Sequence, residues 1–176
     1  MKTLTILFLC LSLTACYKFR PAPGKPIVVS KPDTIPNNGY IGITAIAIAD
    51  TVAFRDETLI EFNYTTHTAY IPGEDAPYFP GFGNTSFASL SSDSIALAVN
   101  AQPYKAGRAI PLQLRGKTVG QYYIRISQLN SIPVSLKIWL KDTKLADSVN
   151  LRAGSYAFSI PQPNIFDSSR FKLIIR

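Results

Sequence analysis

Apolar and polar residues alternate with a period of two in several short stretches of this chain, and this pattern limits most narrowly how the chain can fold. Successive side chains of a β-strand point to opposite faces, so the alternation predicts strands with one buried face. Turn-forming residues separate the stretches, and no amphipathic helix of about three turns follows residue 40. The positions on the predicted buried faces are Thr58, Ile60 and Phe62; Ile95, Leu97 and Val99; Ile110, Leu112 and Leu114; Tyr122, Ile124 and Ile126; Val134, Leu136, Ile138 and Leu140; Tyr156, Phe158 and Ile160; and Phe171, Leu173 and Ile175.

About eight short strands with turns between them predict an all-β domain. The expected architecture is an antiparallel two-sheet β-sandwich, of which the jelly roll is one form. We place this domain at residues 41–176, a length that is typical of one domain and sufficient to bury a core.

The first sixteen residues have the pattern of a lipoprotein signal peptide. Lys2 is followed by the apolar stretch 4–13, which is about half the length that a membrane-spanning helix requires. Residues 13–16, Leu-Thr-Ala-Cys, resemble a bacterial lipobox, so we expect Cys16 to become the lipidated N-terminus with acyl chains such as palmitate. Cys10 would leave with the signal peptide. The alternative is an ordinary signal peptide that happens to contain a cysteine.

Prolines recur every few residues in the segment between the lipobox and the predicted domain. Such a composition cannot bury a core and favours extended polyproline-II backbone. Residues 17–40 are therefore predicted to be a tether that holds the domain away from the membrane. The prolines are Pro21, Pro23, Pro26, Pro32 and Pro36.

The sequence has no recognisable motif for catalysis, for a cofactor or for a metal. His67 is the only histidine and lies in a loop-like stretch with no nucleophile motif in the chain. The sequence Arg-Gly-Lys-Thr at 115–118 lacks the first glycine and the following helix of a phosphate loop. We therefore expect no enzyme activity, no cofactor and no bound metal. The net charge is +7, but the basic residues are scattered, so nucleic acid is not an expected partner.

Two features are candidates for a binding surface. Residues 70–87 form a long stretch in which aromatic residues stand among Pro and Gly beside an acidic pair, a composition that a glycan site would use. The alternative is that these rings cover an open end of the fold. Trp139 is the second candidate, because alternation places it on the outer face between Lys137 and Lys141, although it could instead pack under a loop. The candidate ligand-binding residues are Tyr70, Glu74, Asp75, Tyr78, Phe79, Phe82 and Trp139.

Several segments of about residues 50–176 follow one another in a specific order, which ends in the series VSLKIWLKDTKLADSVNLRAGSYAFSI and SSRFKLIIR. In this order the segments resemble the adhesin-like β-sandwich module of secreted Bacteroidota surface proteins, a family associated with type IX secretion, and the closing series is the most specific part of the resemblance. The resemblance implies a β-sandwich that functions in adhesion without catalytic residues. The sequence Asp33-Thr34-Ile35 resembles the O-glycosylation sites of exported Bacteroidota proteins, which makes Thr34 a candidate modification site.

The expected function is that of a lipid-anchored, non-enzymatic envelope protein that acts in adhesion or binds a partner. The alternatives are a carbohydrate-binding accessory lipoprotein of a glycan-uptake system and a structural subunit of an envelope assembly. Surface lipoproteins of Bacteroidota resemble one another in an acidic run after the lipidated cysteine, whereas residues 17–20 here are Tyr-Lys-Phe-Arg. We therefore expect an outer-membrane lipoprotein that faces the periplasm in preference to the cell surface.

Overall fold

The computed structural model describes residues 34–50 and 54–176, and these residues form eleven β-strands with no α-helix. The all-β prediction is confirmed. The strands are β1 (Gly39–Ala47), β2 (Asp56–Phe62), β3 (Ala76–Pro77), β4 (Thr85–Leu90), β5 (Ala96–Gln102), β6 (Ala109–Gly116), β7 (Gly120–Asn130), β8 (Ile138–Asp142), β9 (Asp147–Asn150), β10 (Tyr156–Ile160) and β11 (Ile165–Ile175).

All eleven strands belong to one hydrogen-bonded sheet, so the predicted arrangement of two separate sheets with about eight strands is not what the structure has. The order is β10-β7-β1-β2-β5-β4-β6-β11-β8-β9, and β3 pairs with β5 beside this path. The sheet has two halves, β10-β7-β1-β2-β5 and β4-β6-β11-β8-β9. They are joined by the short pairing of β4 with β5, at Ser89 with Leu97 and Leu90 with Ala96. The pairing of β2 with β5 is parallel, whereas every other strand pair is antiparallel.

The sheet folds over, so that strands far apart in its order face each other across one core. Phe158 on β10 lies against Phe171 on β11, with ring centroids 4.9 Å apart, although seven positions of the strand order separate the two strands. Tyr122 on β7 stacks on Phe158 at 5.8 Å. The core contains buried side chains from eight strands, and these strands belong to both halves of the sheet. They are β1, β2, β4, β6, β7, β8, β10 and β11.

The folded unit begins before residue 41. Ile35 is completely buried in the core, and its carbonyl oxygen accepts a hydrogen bond of 2.6 Å from the Tyr64 hydroxyl. Strand β1 begins at Gly39. Residues 35–40, which the proline content assigned to the tether, therefore pack with the domain; residues 1–33, including the predicted signal peptide, lie outside the described residues.

A buried ion pair connects β8 with β11. The Arg170 guanidinium donates to the Asp142 carboxylate at 2.8 Å, and the Tyr156 hydroxyl donates to the same carboxylate at 2.9 Å. A bulge in β11 between Asp167 and Phe171 turns Arg170 inward beside Phe171, where both residues are buried. Its guanidinium lies 4.7 Å from the Phe171 ring centroid and 4.8 Å from that of Phe158, so aromatic faces as well as the carboxylate surround this cation.

Candidate functional site

The segment 78–84, here called the aromatic loop, connects the short strand β3 with β4. Its first residue is fixed to the sheet: the Tyr78 amide donates to the Ala96 carbonyl oxygen at 3.0 Å, and the Tyr78 hydroxyl donates to the Asp56 carboxylate. The same carboxylate accepts the Phe87 amide at 2.9 Å. Burial, reinforced by the hydrogen bond to the Asp56 carboxylate, raises the pKa of Tyr78 to about 12, so the hydroxyl stays protonated at neutral pH.

The other end of the aromatic loop is fixed by a lysine. The Lys117 ammonium donates to the carbonyl oxygens of Gly83 at 2.7 Å and Gly81 at 3.2 Å. The Asn84 amide donates to the Asp50 carboxylate at 3.0 Å. A Cβ atom on Gly83 would collide with the Phe54 carbonyl oxygen, so only glycine fits at this close approach.

Between these two attachments, the loop exposes its aromatic rings. Phe79 is 82% exposed and Phe82 is fully exposed, while Phe54 nearby is about half exposed. A cavity of about 250 Å³ lies beside Phe82 and Phe54, and Arg55 and Thr85 also line it, whereas Phe79 does not. A fixed loop with exposed phenylalanines beside a cavity is an arrangement suited to binding.

The rings of the stretch 70–87 do not act together as a cover for the fold. Phe79 and Phe82 are exposed, Tyr78 is half-buried, and only Phe87 belongs to the core, where it is completely buried on β4. Phe79 and Phe82 therefore do not cover an end of the fold, and Phe87 is a core residue of β4. The stretch also contains regular structure, namely β3 and the start of β4.

The predicted acidic residues of this stretch are engaged in holding the backbone. Asp75 accepts the Ala101 amide at 2.8 Å and the Ile71 amide at 2.9 Å. Glu74 accepts the His67 amide at 3.1 Å and lies 3.2 Å from the imidazole Nδ1. Neither carboxylate is among the groups that line the cavity. The structure therefore does not place Glu74 and Asp75 at the cavity beside Phe82 and Phe54.

Tyr70 is held beside a third carboxylate. Its amide donates to Asp93 at 3.0 Å, and the Ser91 hydroxyl donates to the same oxygen at 2.6 Å. The Ser91 hydrogen bond, followed by that of the Tyr70 amide, lowers the pKa of Asp93. Asp93 is thus an ionised anchor for the start of this stretch, and Tyr70, which is half-buried, does not line the cavity.

Trp139 lies on the outer face of β8, as the alternation predicted, and is half-buried there. Its neighbours in register are Ile174 on β11 and Asn150 on β9. The Arg176 guanidinium lies 5.8 Å from the centroid of its ring. The indole Nε1 is buried and has no hydrogen-bond acceptor among the described residues.

Two predicted modification sites are placed differently. Thr34 is exposed at the start of the described chain, whereas Cys16 lies outside the described residues.

Among residues 34–50 and 54–176, no group of three His, Cys, Asp or Glu side chains could hold a metal ion. No helix in this part of the chain is long and apolar enough to cross a membrane.

The residues that position the aromatic loop were missed by sequence analysis. Asp56, Asp50 and Lys117 act on the loop from 22 to 36 positions away in sequence, as the contacts Asp56 to Tyr78, Asp50 to Asn84 and Lys117 to Gly81 show. No local pattern marks such a contact. The Gly-Phe-Gly sequence at 81–83 was the one available signal, because glycines beside an aromatic residue indicate close backbone approach.

Comparisons of the chain with family models, with curated proteins and with solved structures each found no match.

We expect Tyr78→Phe to lower the free energy of unfolding by about 1 to 2 kcal/mol. The variant removes a hydrogen bond to a charged acceptor, and half-burial places the loss at the lower end of the usual range. Urea denaturation of the purified domain measures the effect. Tyr123→Phe is the matched control, because no hydrogen bond of the Tyr123 hydroxyl is seen among the described residues, and its stability should not change; equal losses in both variants would contradict an anchoring role for Tyr78.

Proposed function

We propose that this protein is a lipid-anchored, non-enzymatic envelope protein that binds a partner through its aromatic loop. The observation that carries the proposal is the exposure of Phe79 and Phe82 on a segment that is fixed at both ends. Large apolar side chains on a surface commonly mark an interaction site. A fixed loop also loses little conformational entropy on binding, which leaves more of the contact free energy as affinity.

The membrane and compartment parts of the proposal rest on the sequence. Cys16 would carry the lipid, and the basic segment 17–20 would leave the domain on the periplasmic side of the outer membrane. Exposed Thr34 would be available for O-glycosylation. We also propose kinship with the adhesin-like sandwich module, in which the two facing halves of the folded sheet would correspond to the two layers of a sandwich.

Carbohydrate binding is the second candidate, and the cavity favours it. Phe82 and Phe54 offer ring faces beside a space of about 250 Å³, and the Arg55 guanidinium adds a donor for hydroxyl groups. Sugar rings stack on aromatic side chains while their hydroxyls take hydrogen bonds at the edge. A glycan would therefore use the same loop as a protein partner.

Assembly by strand addition has less support. That mode requires a long edge with free backbone donors and acceptors. The terminal strands are β10, Tyr156–Ile160, and β9, Asp147–Asn150, which are five and four residues long. Because β10 pairs with β7 only as far as Ile124, residues 125–130 of β7 form one further short edge among the described strands. A structural subunit that polymerises through its sheet edges is accordingly the weakest of the three functions.

Replacing both exposed rings should abolish binding without unfolding the domain. The double variant Phe79→Ser, Phe82→Ser should keep its stability within about 0.5 kcal/mol, because exposed side chains contribute little packing. Val134→Ser is the matched control, since Val134 is 91% exposed on another turn. Thermal unfolding measures the stability of each variant.

Binding is then measured in two ways. A photo-crosslinking amino acid at position 79 or 82 should give a discrete crosslinked product in cells, and the same group at position 134 should not. A glycan array with the purified domain tests the carbohydrate alternative, where signal lost in the double variant and kept in Val134→Ser would assign the cavity to a sugar. Crosslinks of equal pattern from positions 79 and 134, together with an empty array, would refute binding at the aromatic loop.

A further inference from the structure

The outer surface of β8 and β11 carries a regular set of residue pairs. Antiparallel strands place directly opposite residues on the same face, and Trp139 lies opposite Ile174 with a pair of cationic residues on either side. Lys141 lies opposite Lys172. Lys137 and Arg176 exchange backbone hydrogen bonds of 2.8 and 3.1 Å, which places these two residues opposite each other as well. We call these six residues the basic ladder: Lys137, Trp139, Lys141, Lys172, Ile174 and Arg176.

The positive charge of the basic ladder is not neutralised within the described residues. Its four cationic side chains form no ion pair there, since the described ion pairs are Arg55 with Glu57, His67 with Glu74 and Arg170 with Asp142. The residues opposite the ladder on the adjoining strands are also uncharged, namely Ala109 and Pro111 on β6 and Ser148 and Asn150 on β9.

Such an arrangement weakens the sheet unless an anion is bound. Like charges directly opposite each other on neighbouring strands repel, and a pair such as Lys141 with Lys172 lowers stability. The two cationic pairs lie four residues apart along each strand, which corresponds to about 13 Å. Trp139 lies midway between them, with the Arg176 guanidinium over its ring. Positive charge therefore recurs along the strand direction on both sides of an aromatic side chain.

We propose that the basic ladder binds a linear acidic polysaccharide, with its carboxylate or sulfate groups at the two cationic pairs and a sugar ring against the part of Trp139 that burial and Arg176 leave exposed. A linear polyanion matches a charge that recurs along one direction, and a sugar ring matches the indole between the charges. An anionic membrane is the less suitable ligand, because insertion needs exposed apolar side chains and both Trp139 and Ile174 are half-buried. This surface is distinct from the aromatic loop and would bind independently of it.

Titrations of the purified domain with polygalacturonate and with dextran sulfate test the proposal, with neutral dextran as the uncharged control. We expect binding to at least one acidic polymer, no binding to dextran, and weaker binding as salt is raised, since salt screens exposed charges. Lys141→Ala and Lys172→Ala should each weaken binding by about two- to fivefold, as expected for one exposed ion pair. Trp139→Ala should weaken it about fivefold or more, as for an aromatic residue at the centre of an interface.

The matched control is Arg125→Ala, which removes one positive charge from an exposed position on β7. Its affinity should stay within about twofold of the native value, and so should that of Phe79→Ser, Phe82→Ser. The proposal would be overturned if the domain bound neither of the two acidic polymers. It would also be overturned if Arg125→Ala and Lys141→Ala lost equal affinity. Vesicles of phosphatidylglycerol and phosphatidylcholine test the membrane: binding to these vesicles but not to the polymers would replace the polysaccharide with a lipid surface.

Discussion

Arg170→Met should lower the free energy of unfolding by about 3 to 5 kcal/mol at neutral pH, because it leaves the Asp142 carboxylate buried without its cation. The Asp142 side chain is completely buried and that of Arg170 is 8% exposed, so water cannot replace the lost partner. Methionine keeps the length and apolar character of the arginine stem, which separates the loss of charge from the loss of packing. Urea or thermal denaturation of the purified domain measures the change.

The effect should depend on pH in a defined direction. Burial alone would raise the pKa of Asp142, but the hydrogen bonds from Arg170 and Tyr156 outweigh burial and hold that pKa below its ordinary value. A carboxylate with a lowered folded pKa contributes stability above its unfolded pKa, and this contribution is lost as the pH falls through the folded pKa. In Arg170→Met the buried carboxylate has lost its cation, so burial raises its pKa. The difference in stability between the native protein and the variant should therefore shrink as the pH falls from that raised pKa to the lowered pKa of the native protein.

Two further variants test whether the cost comes from the ion pair. Adding Asp142→Asn to Arg170→Met removes the uncompensated charge and keeps an acceptor for the Tyr156 hydroxyl, so the double variant should be more stable than Arg170→Met alone. Arg125→Met changes an exposed arginine and should cost less than about 0.5 kcal/mol. A loss below about 1 kcal/mol in Arg170→Met would show that the pair contributes little to the fold.

Alternation predicted most strands that have one buried face, was wrong for β5, and missed the strands that are buried on both faces. Ile95, just before β5, is 42% exposed and Val99 is half-buried, whereas Asn100 and Gln102 are buried. Strand β4 is buried at all six positions and β1 at all but Tyr40, so neither alternates. The predicted strand beginning at Val134 actually starts at Ile138, because the Leu136 amide bonds to the Pro133 carbonyl oxygen in a turn. Val134 is consequently exposed, although Leu136 still reaches the core.

The order in which the strands pair within the sheet could not be predicted from the sequence, for a different reason. Each strand shows which face is buried but not which strand lies beside it, and the parallel pairing of β2 with β5 joins segments about 40 residues apart. The same limit applies to the candidate site. Phe79 and Phe82 could be named from composition, but their exposure depends on the attachment of Tyr78 to Asp56 and of Gly83 to Lys117.

Cys16→Ala should move the protein from the membrane fraction to the soluble fraction. Each buried CH₂ group of an acyl chain contributes about 0.8 kcal/mol to membrane binding, so loss of the chains should remove almost all of the affinity for the bilayer. Cys10→Ala is the matched control, because Cys10 would leave with the signal peptide and its loss should not change the distribution. Fractionation and the mass of the mature N-terminus together measure the outcome.

The result also bears on how the two proposed surfaces would act in the cell. An anchored domain meets ligands only within reach of its tether, so weak binding by the aromatic loop or the basic ladder would suffice at the high local concentration near a membrane. If Cys16→Ala stayed in the membrane fraction after the mass showed that the apolar stretch 4–13 had been removed, the lipobox interpretation would be wrong and another part of the protein would have to hold it there. The basic ladder would then be the first surface to examine, and combining Cys16→Ala with Lys141→Ala and Lys172→Ala would show whether its charge retains the protein.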